Sequence, residues 1–274
     1  MLTILRFCAI TRCKFKLFCR FIVHKINAKS KRGHGVHSPF VFDLIVNVFR
    51  DRRWKPEFEN IENVRKKLLA CSDMIDVNDM GAGSLFYNKG RRMVSRIARH
   101  SSADRKKGEL LNRLASYFGS ENILELGTSL GMSTMYLAAA TEESVVWTIE
   151  GCVNLSSLAE SNISRAGFNN VEVIKGPFRE KLPEVLERMG RVDFVFFDGD
   201  HRKESLLWQF EQCLEKSTGE SVFIFDDIHW SDEMEEAWRE ITEHESVRIT
   251  IDLFRAGVVF FRKGLPRQKI LLNY

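Results

Sequence analysis

A chain of 274 residues, 44% hydrophobic and 28% charged, has the composition of an ordinary globular protein and room for one large domain plus an extension. A net charge of +4 gives no reason to expect a nucleic-acid partner. Six scattered cysteines (Cys8, Cys13, Cys19, Cys71, Cys152 and Cys213) contain no C-x-x-C pair, which fits reduced thiols in a cytoplasm better than a disulfide framework.

Residues 1–30 are basic and aromatic, with Phe7, Phe15, Phe18 and Phe21 between Arg6, Arg12, Lys14, Lys16, Arg20 and Lys25. A cation interrupts every short apolar run, so neither a signal-peptide core nor a membrane span fits. On a helix, Arg12, Lys16 and Arg20 share one face, and Phe15, Phe18 and Ile22 lie roughly opposite, with Lys14 spoiling the apolar side. The expected arrangement docks the Phe side on the rest of the protein. A helix lying on a membrane surface, giving a peripheral contact through residues 1–30, is the alternative.

Gly33 to Pro39 breaks this helix; His34 and His37 read as loop histidines, because nothing nearby completes a metal site. Ser38 is a good N-cap and Pro39 a good first helical residue, so a new helix is expected from there to about Phe49. A charged helix follows over 59–70. The run Asp79-Met80-Gly81-Ala82-Gly83-Ser84 imitates a ligand-binding glycine turn but lacks an acidic-ended strand behind it. It reads either as a glycine loop between helices, with a basic helix at 91–100 after it, or as a lid on the acceptor side. Ser101 to Lys107 is polar and charged, a hinge into the main domain, and Glu109 to Phe118 is helical. The division expected is a helical extension, 1–104, and a main domain, 105–274.

From residue 123 the alternation is regular. Apolar strand runs at 123–126, 145–149, 171–174, 192–197 and 221–225 are separated by helical stretches at 131–140, 153–166, 180–189, 202–215 and 231–243. Short buried strands alternating with helices make a doubly wound α/β fold with a parallel sheet. Val247–Phe254 and Gly257–Arg262 follow too closely for a crossover helix and require an antiparallel hairpin.

Ligands of such sheets lie at the carboxyl ends of the strands. The first strand ends Glu125-Leu126-Gly127-Thr128-Ser129-Leu130-Gly131-Met132-Ser133, a strand, glycine turn and helix start that present backbone N–H groups to a ligand. The spacing E-x-G-x-x-x-G differs from the dinucleotide pattern G-x-G-x-x-G, which disfavours a nicotinamide-dependent oxidoreductase. The second strand ends at Glu150, roughly 20 residues past the turn, where an acid accepts ribose hydroxyls. The third ends Lys175-Gly176-Pro177. The fourth ends Asp198-Gly199-Asp200-His201 and the fifth Asp226-Asp227. Clustered carboxylates repel one another, and a cation or a substrate proton relieves them. Three converging acids, Asp198, Asp226 and Asp227, form an all-oxygen set suited to Mg²⁺.

The glycine turn, in its G-T-S-x-G form, resembles motif I of the class I S-adenosylmethionine (SAM)-dependent methyltransferases. D-G-D-H and the later D-D resemble the metal motifs of the cation-dependent O-methyltransferases of the catechol and caffeoyl-CoA type, and a broader group carrying D-G-D-H. The sequence departs from the former twice, with His201 in the place of Lys and Asp227 in the place of Asn. The resemblance covers about residues 105–262. It implies a Rossmann-like sheet and SAM held by Glu125, Gly127, Thr128, Ser129, Gly131, Ser133, Glu150, Gly176, Pro177, Asp198 and Asp200. It also implies a divalent cation at Asp198, Asp226 and Asp227, with His201 and Asp198 serving the chemistry at a small-molecule hydroxyl. A metal-independent enzyme acting on an amine, sugar or peptide group, or a non-catalytic SAM-binding protein, stays open at this point. Trp230 and Trp238 are expected in the core, or else along the acceptor pocket.

Overall fold

The computed structural model describes residues 2–30, 36–78, 90–100 and 102–274, with side chains in the first helix from residue 15. The chain opens with a long helix, α1 (Leu2–Asn27), and a two-residue strand, β1 (Lys29–Ser30). Next come α2 (Pro39–Leu44), a π-helical turn at Ile45–Phe49, α3 (Glu57–Ala70), β2 (Met74–Val77), β3 (Gly90–Met93), α4 (Val94–His100) and α5 (Arg105–Tyr117). The regular alternation then runs β4 (Asn122–Leu126), α6 (Met132–Ala138), β5 (Val145–Glu150), α7 (Val153–Ala166), β6 (Val171–Lys175), α8 (Phe178–Met189), β7 (Val192–Phe197), α9 (Lys203–Glu215), β8 (Ser217–Asp226) and α10 (Asp232–Glu243). It closes with β9 (Ile249–Asp252), β10 (Ala256–Phe260) and β11 (Gln268–Asn273).

The main sheet has the order β1-β11-β9-β10-β8-β7-β4-β5-β6. Among the described residues only β10 runs against its neighbours, pairing antiparallel with both β8 and β9. This is the hairpin that the short spacing between β9 and β10 demanded. The strand order reverses beside β4, where β7 joins on one side and β5 on the other, so the ligand crevice opens at the ends of β4, β5, β7 and β8.

Strands buried on both faces alternate their apolar side chains between two layers. Ile123, Phe194, Phe196 and Ile224 join Val41, Leu44 and Leu111 on one side. Leu124, Val195, Phe197 and Phe225 join Leu182, Phe210 and Trp238 on the other. Trp238 is thus a core residue. Phe58, Ile61 and Leu68 of α3 pack with Met132, Met135 and Tyr136 of α6 in a third cluster, so residues before 104 share cores with those after it.

Three local expectations change. Arg91 to Met93 belong to β3, which pairs antiparallel with β2, and only Val94–His100 is helical. The Asp79–Ser84 run lies outside the described residues, as do Gly33, His34 and Gly35. The hinge ends earlier than expected: Asp104 caps α5, its side chain accepting a hydrogen bond from the Lys107 N–H at 2.8 Å, so Arg105 to Lys107 form the first helical turn. By contrast, Ser38 caps α2 as expected, accepting from the Val41 N–H.

The third change concerns α1, which docks with its polar side. Lys16 pairs with Asp232 at 2.6 Å, Arg20 with Asp232 at 2.5 Å and with Glu235, and His24 with Asp252 at 3.1 Å. The expected docking of the Phe side fails because the surface offered to the helix, the acidic first turn of α10 and the end of β9, is anionic. Among the described phenylalanines of α1 only Phe21 packs inward, its ring 5.1 Å from that of Phe254.

Candidate active site

The glycine turn between β4 and α6 is held from three sides. Gly127 has φ of 109°, and a Cβ there would come within 2.5 Å of the Asp198 carbonyl oxygen. Only glycine tolerates both the left-handed backbone and that approach, and the contact joins the turn directly to the acidic end of β7. Ser129 (φ 49°) and Gly131 (φ 80°) complete the reversal, and Gly131 is the N-cap of α6.

Beneath the turn, Glu125 is fully buried. Its Oε2 accepts from Thr134 Oγ1 at 2.5 Å and from Thr148 Oγ1 at 2.7 Å, while Oε1 has no hydrogen-bond partner. Burial pushes its carboxyl up to about 7, against the pull of hydroxyls from Ser133, Thr134 and Thr148. Thr128 is buried and shares a 2.6 Å hydrogen bond with Thr148. Glu125 therefore braces the turn from inside. Glu150, half-buried at the end of β5, accepts from the Ser129 N–H and the Cys152 N–H, both at 2.8 Å. Its carboxylate thus fixes the turn from the end of β5. Gly176 (φ 142°) and Pro177 form the entry to α8, Pro177 being its N-cap.

The ends of β7 and β8 bring Asp198, Asp226, Asp227 and His201 together, and they add a residue that the sequence reading treated as hinge. Lys107, from the first turn of α5, makes an ion pair with the buried carboxylate of Asp226. Its position depends on Gly108, since a Cβ there would lie 2.2 Å from the Tyr136 ring and force α5 away from α6. Burial works to lower the Lys107 pKa, but Asp226, Asp198 and Asp227 outweigh it and hold the ammonium above its usual range. Burial first, and then the neighbouring Asp226, push the Asp198 carboxyl well up. Asp227 is also raised, chiefly by burial; its φ of 51° lets its N–H reach the Arg255 carbonyl at 2.7 Å. His201 Nε2 lies 3.9 Å from Asp198 Oδ1.

Two of the expected site groups have partners of their own. Arg202 holds the Asp200 carboxylate through two hydrogen bonds of 2.5 and 2.6 Å. Asp198, Asp226 and Asp227 do not form a metal-holding group, and among the described residues no cluster of three or more His, Cys, Asp or Glu side chains does so. Lys107 stands among these acids, its ammonium paired with Asp226.

Comparison with known proteins agrees with this geometry. Residues 124–228 match a family model described as a methyltransferase domain. The catechol O-methyltransferase of Niastella koreensis is 31% identical over 130 residues, covering 46% of this chain and 58% of that protein. The enzyme of the same name from Mycobacterium tuberculosis is 31% identical over 125 residues, covering 45% and 55%. The chain thus spans little more than half the length of these relatives. The likeness in fold extends further: the O-methyltransferase from Bacillus cereus, solved in complex with S-adenosylhomocysteine (SAH), superposes with a TM-score of 0.55 at 21% identity, covering 81% of this chain and 97% of that one.

Sequence reasoning missed Lys107 and Arg202. Asp104 as a helix cap was a local signal that would have put Lys107 inside α5. No local signal pairs it with Asp226.

Proposed function

We propose that the protein transfers a methyl group from SAM to a hydroxyl of a small acceptor. The observation that carries this reading is the seam at Gly127, which puts the glycine turn against the backbone of Asp198 and so makes one crevice of the cofactor side and the acidic cluster. When bound, SAM supplies a methyl group on a sulfonium, ready for in-line attack. The protein's tasks are to hold it, align the acceptor, exclude water and take a proton.

In this reading Glu150 receives the ribose hydroxyls, while Glu125 keeps the turn in shape. His201 takes the proton of the acceptor hydroxyl at Nε2, which lies 3.9 Å from Asp198 Oδ1. The divalent cation expected at Asp198, Asp226 and Asp227 does not fit the donor set, because Asp226 is engaged by Lys107. We assign the positive charge at the acceptor side to that ammonium, a fixed donor facing the oxygen on which negative charge develops. The name shared by the two bacterial relatives supports a catechol-like acceptor.

The test is SAH formation by the purified full chain given SAM and catechol. Turnover that depends on the phenol is the expected result. SAM binding without turnover across phenols, alcohols and amines would leave a binding protein, and calorimetry showing no SAM binding would overturn the reading.

A further inference from the structure

We propose that α1 is a membrane-surface helix: the stripe Phe15, Phe18, Ile22 and Ile26 enters the headgroup region of an anionic bilayer while the opposite side stays clamped to the catalytic domain. The four residues are spaced by three, four and four, which on an α-helix makes one continuous line. Their side chains face away from the protein, with exposures of 68%, 59%, 41% and 76%, and Val23 beside them is also exposed. Apolar area of this extent, left outside by a protein that buries the phenylalanines of its sheet, marks a contact surface.

The outward orientation is specified rather than accidental. Lys16, Arg20 and His24 grip Asp232, Glu235 and Asp252, and Arg20 also donates to the His229 carbonyl at 3.3 Å. Rotating the helix to bury its phenylalanines would break every one of these contacts. The clamp adjoins the acceptor side of the site, since His229 lies two residues past Asp227.

Charge selects the occupant. The helix contains six Lys and Arg and no Asp or Glu, which leaves 35 Lys and Arg against 37 acids in the remainder of the chain. All of the chain's positive excess therefore lies on the element that carries the apolar stripe, and with Lys16 and Arg20 paired to acids of α10 it rests on Arg6, Arg12, Lys14 and Lys25. An anionic lipid surface is complementary to it. A second copy is not, since stripe-to-stripe packing would bring two helices of like charge together. Spanning is ruled out for the described helices, none of which is long and apolar enough to cross a membrane.

Co-sedimentation of the full chain with vesicles tests this without reference to methyl transfer, so either proposal can fail alone. Binding is expected to vesicles containing phosphatidylserine, to be far weaker on pure phosphatidylcholine, and to drop as salt screens the charge. The double variant Phe18→Ser/Ile22→Ser should lose at least about tenfold in partitioning, from the lost apolar area. Both side chains are exposed, so its thermal unfolding should match that of the parent. A Phe18→Trp variant provides a direct reading: its emission should shift to the blue when anionic vesicles are added. No binding to phosphatidylserine vesicles, or an emission from the Phe18→Trp variant that stays unshifted, overturns the proposal. So does a dimer in light scattering that the double variant dissolves, which would assign the stripe to a second copy.

Discussion

On the β4–β5 side of the crevice, Glu125 and Glu150 take their hydrogen bonds from Thr134, Thr148, Ser129 and Cys152, all within 23 residues of the acid they serve. On the β7–β8 side, Asp226 is answered by Lys107, 119 residues earlier in the chain. The first half is built from neutral donors and holds its acids as structural braces. The second is built from charges and keeps an ammonium, an imidazole and three carboxylates in one place. The proposed methyl transfer calls for this asymmetry, since the cofactor must be bound in a fixed pose while the acceptor must lose a proton.

The largest effect should come from the charged half. His201→Ala is expected to lower the methylation rate by about 10²–10⁴-fold, most strongly near neutral pH, while leaving SAM affinity in place. A pH–rate profile at saturating SAM checks this, and an unchanged rate would remove His201 from the chemistry. Next comes Lys107→Met, expected to reduce the rate by about 10²–10³-fold, the scale of one preorganised charge-stabilising donor. It should also cost about 3–5 kcal/mol in urea unfolding, because Asp226 would remain buried without its partner. Glu150→Ala belongs to the neutral half and should act on binding alone, weakening SAH by about 1.5–3 kcal/mol in calorimetry.

Much of the neutral half could be read from the sequence because its contacts are local. The glycine turn, the acid ending β5 and the alternation of β4 to β8 with their helices all leave periodic or short-range marks, and their observed bounds fall within a few residues of the expected ones. The edge of the sheet did not. β11 carries only the short apolar run Ile270 to Leu272 and β1 has two residues, so neither shows a period, and both become strands only by pairing with each other and with β9. Arg91 and Arg92 read as part of a basic helix because the residues after them are helical; their pairing with Ile75 and Asp76 is a tertiary fact. The docking side of α1 was misjudged for a similar reason. Amphipathicity says that a helix has two sides, but the partner surface decides which one is buried. Asp232 and Glu235 decided for the basic side. The acids of the site were legible as strand ends, and what they hold was not, because Lys107 sits in a segment whose composition suggests a hinge.

The smallest expected effect is a pH dependence from the neutral half. Burial raises the Glu125 carboxyl to about 7 from an ordinary 4.5. Between those values the folded state holds a proton that the unfolded state releases, so this group's contribution to stability falls as pH rises through the window and is lowest above it. Glu125→Gln removes the titration. Its melting temperature should gain on the parent's from about pH 5 to about pH 8, and parallel curves would show that Glu125 is ionised throughout.

The assignment of the acceptor-side charge to Lys107 is tested most directly by Mn²⁺ titration, followed by electron paramagnetic resonance, on the parent protein and on Lys107→Met. With the ammonium paired to Asp226, the parent should show no stoichiometric Mn²⁺ site. The variant frees Asp226 beside Asp198 and Asp227, an oxygen donor set that suits such an ion, and it should gain one. One tightly bound Mn²⁺ per chain in the parent, with Lys107 intact, would contradict the account and return the carboxylates to a metal.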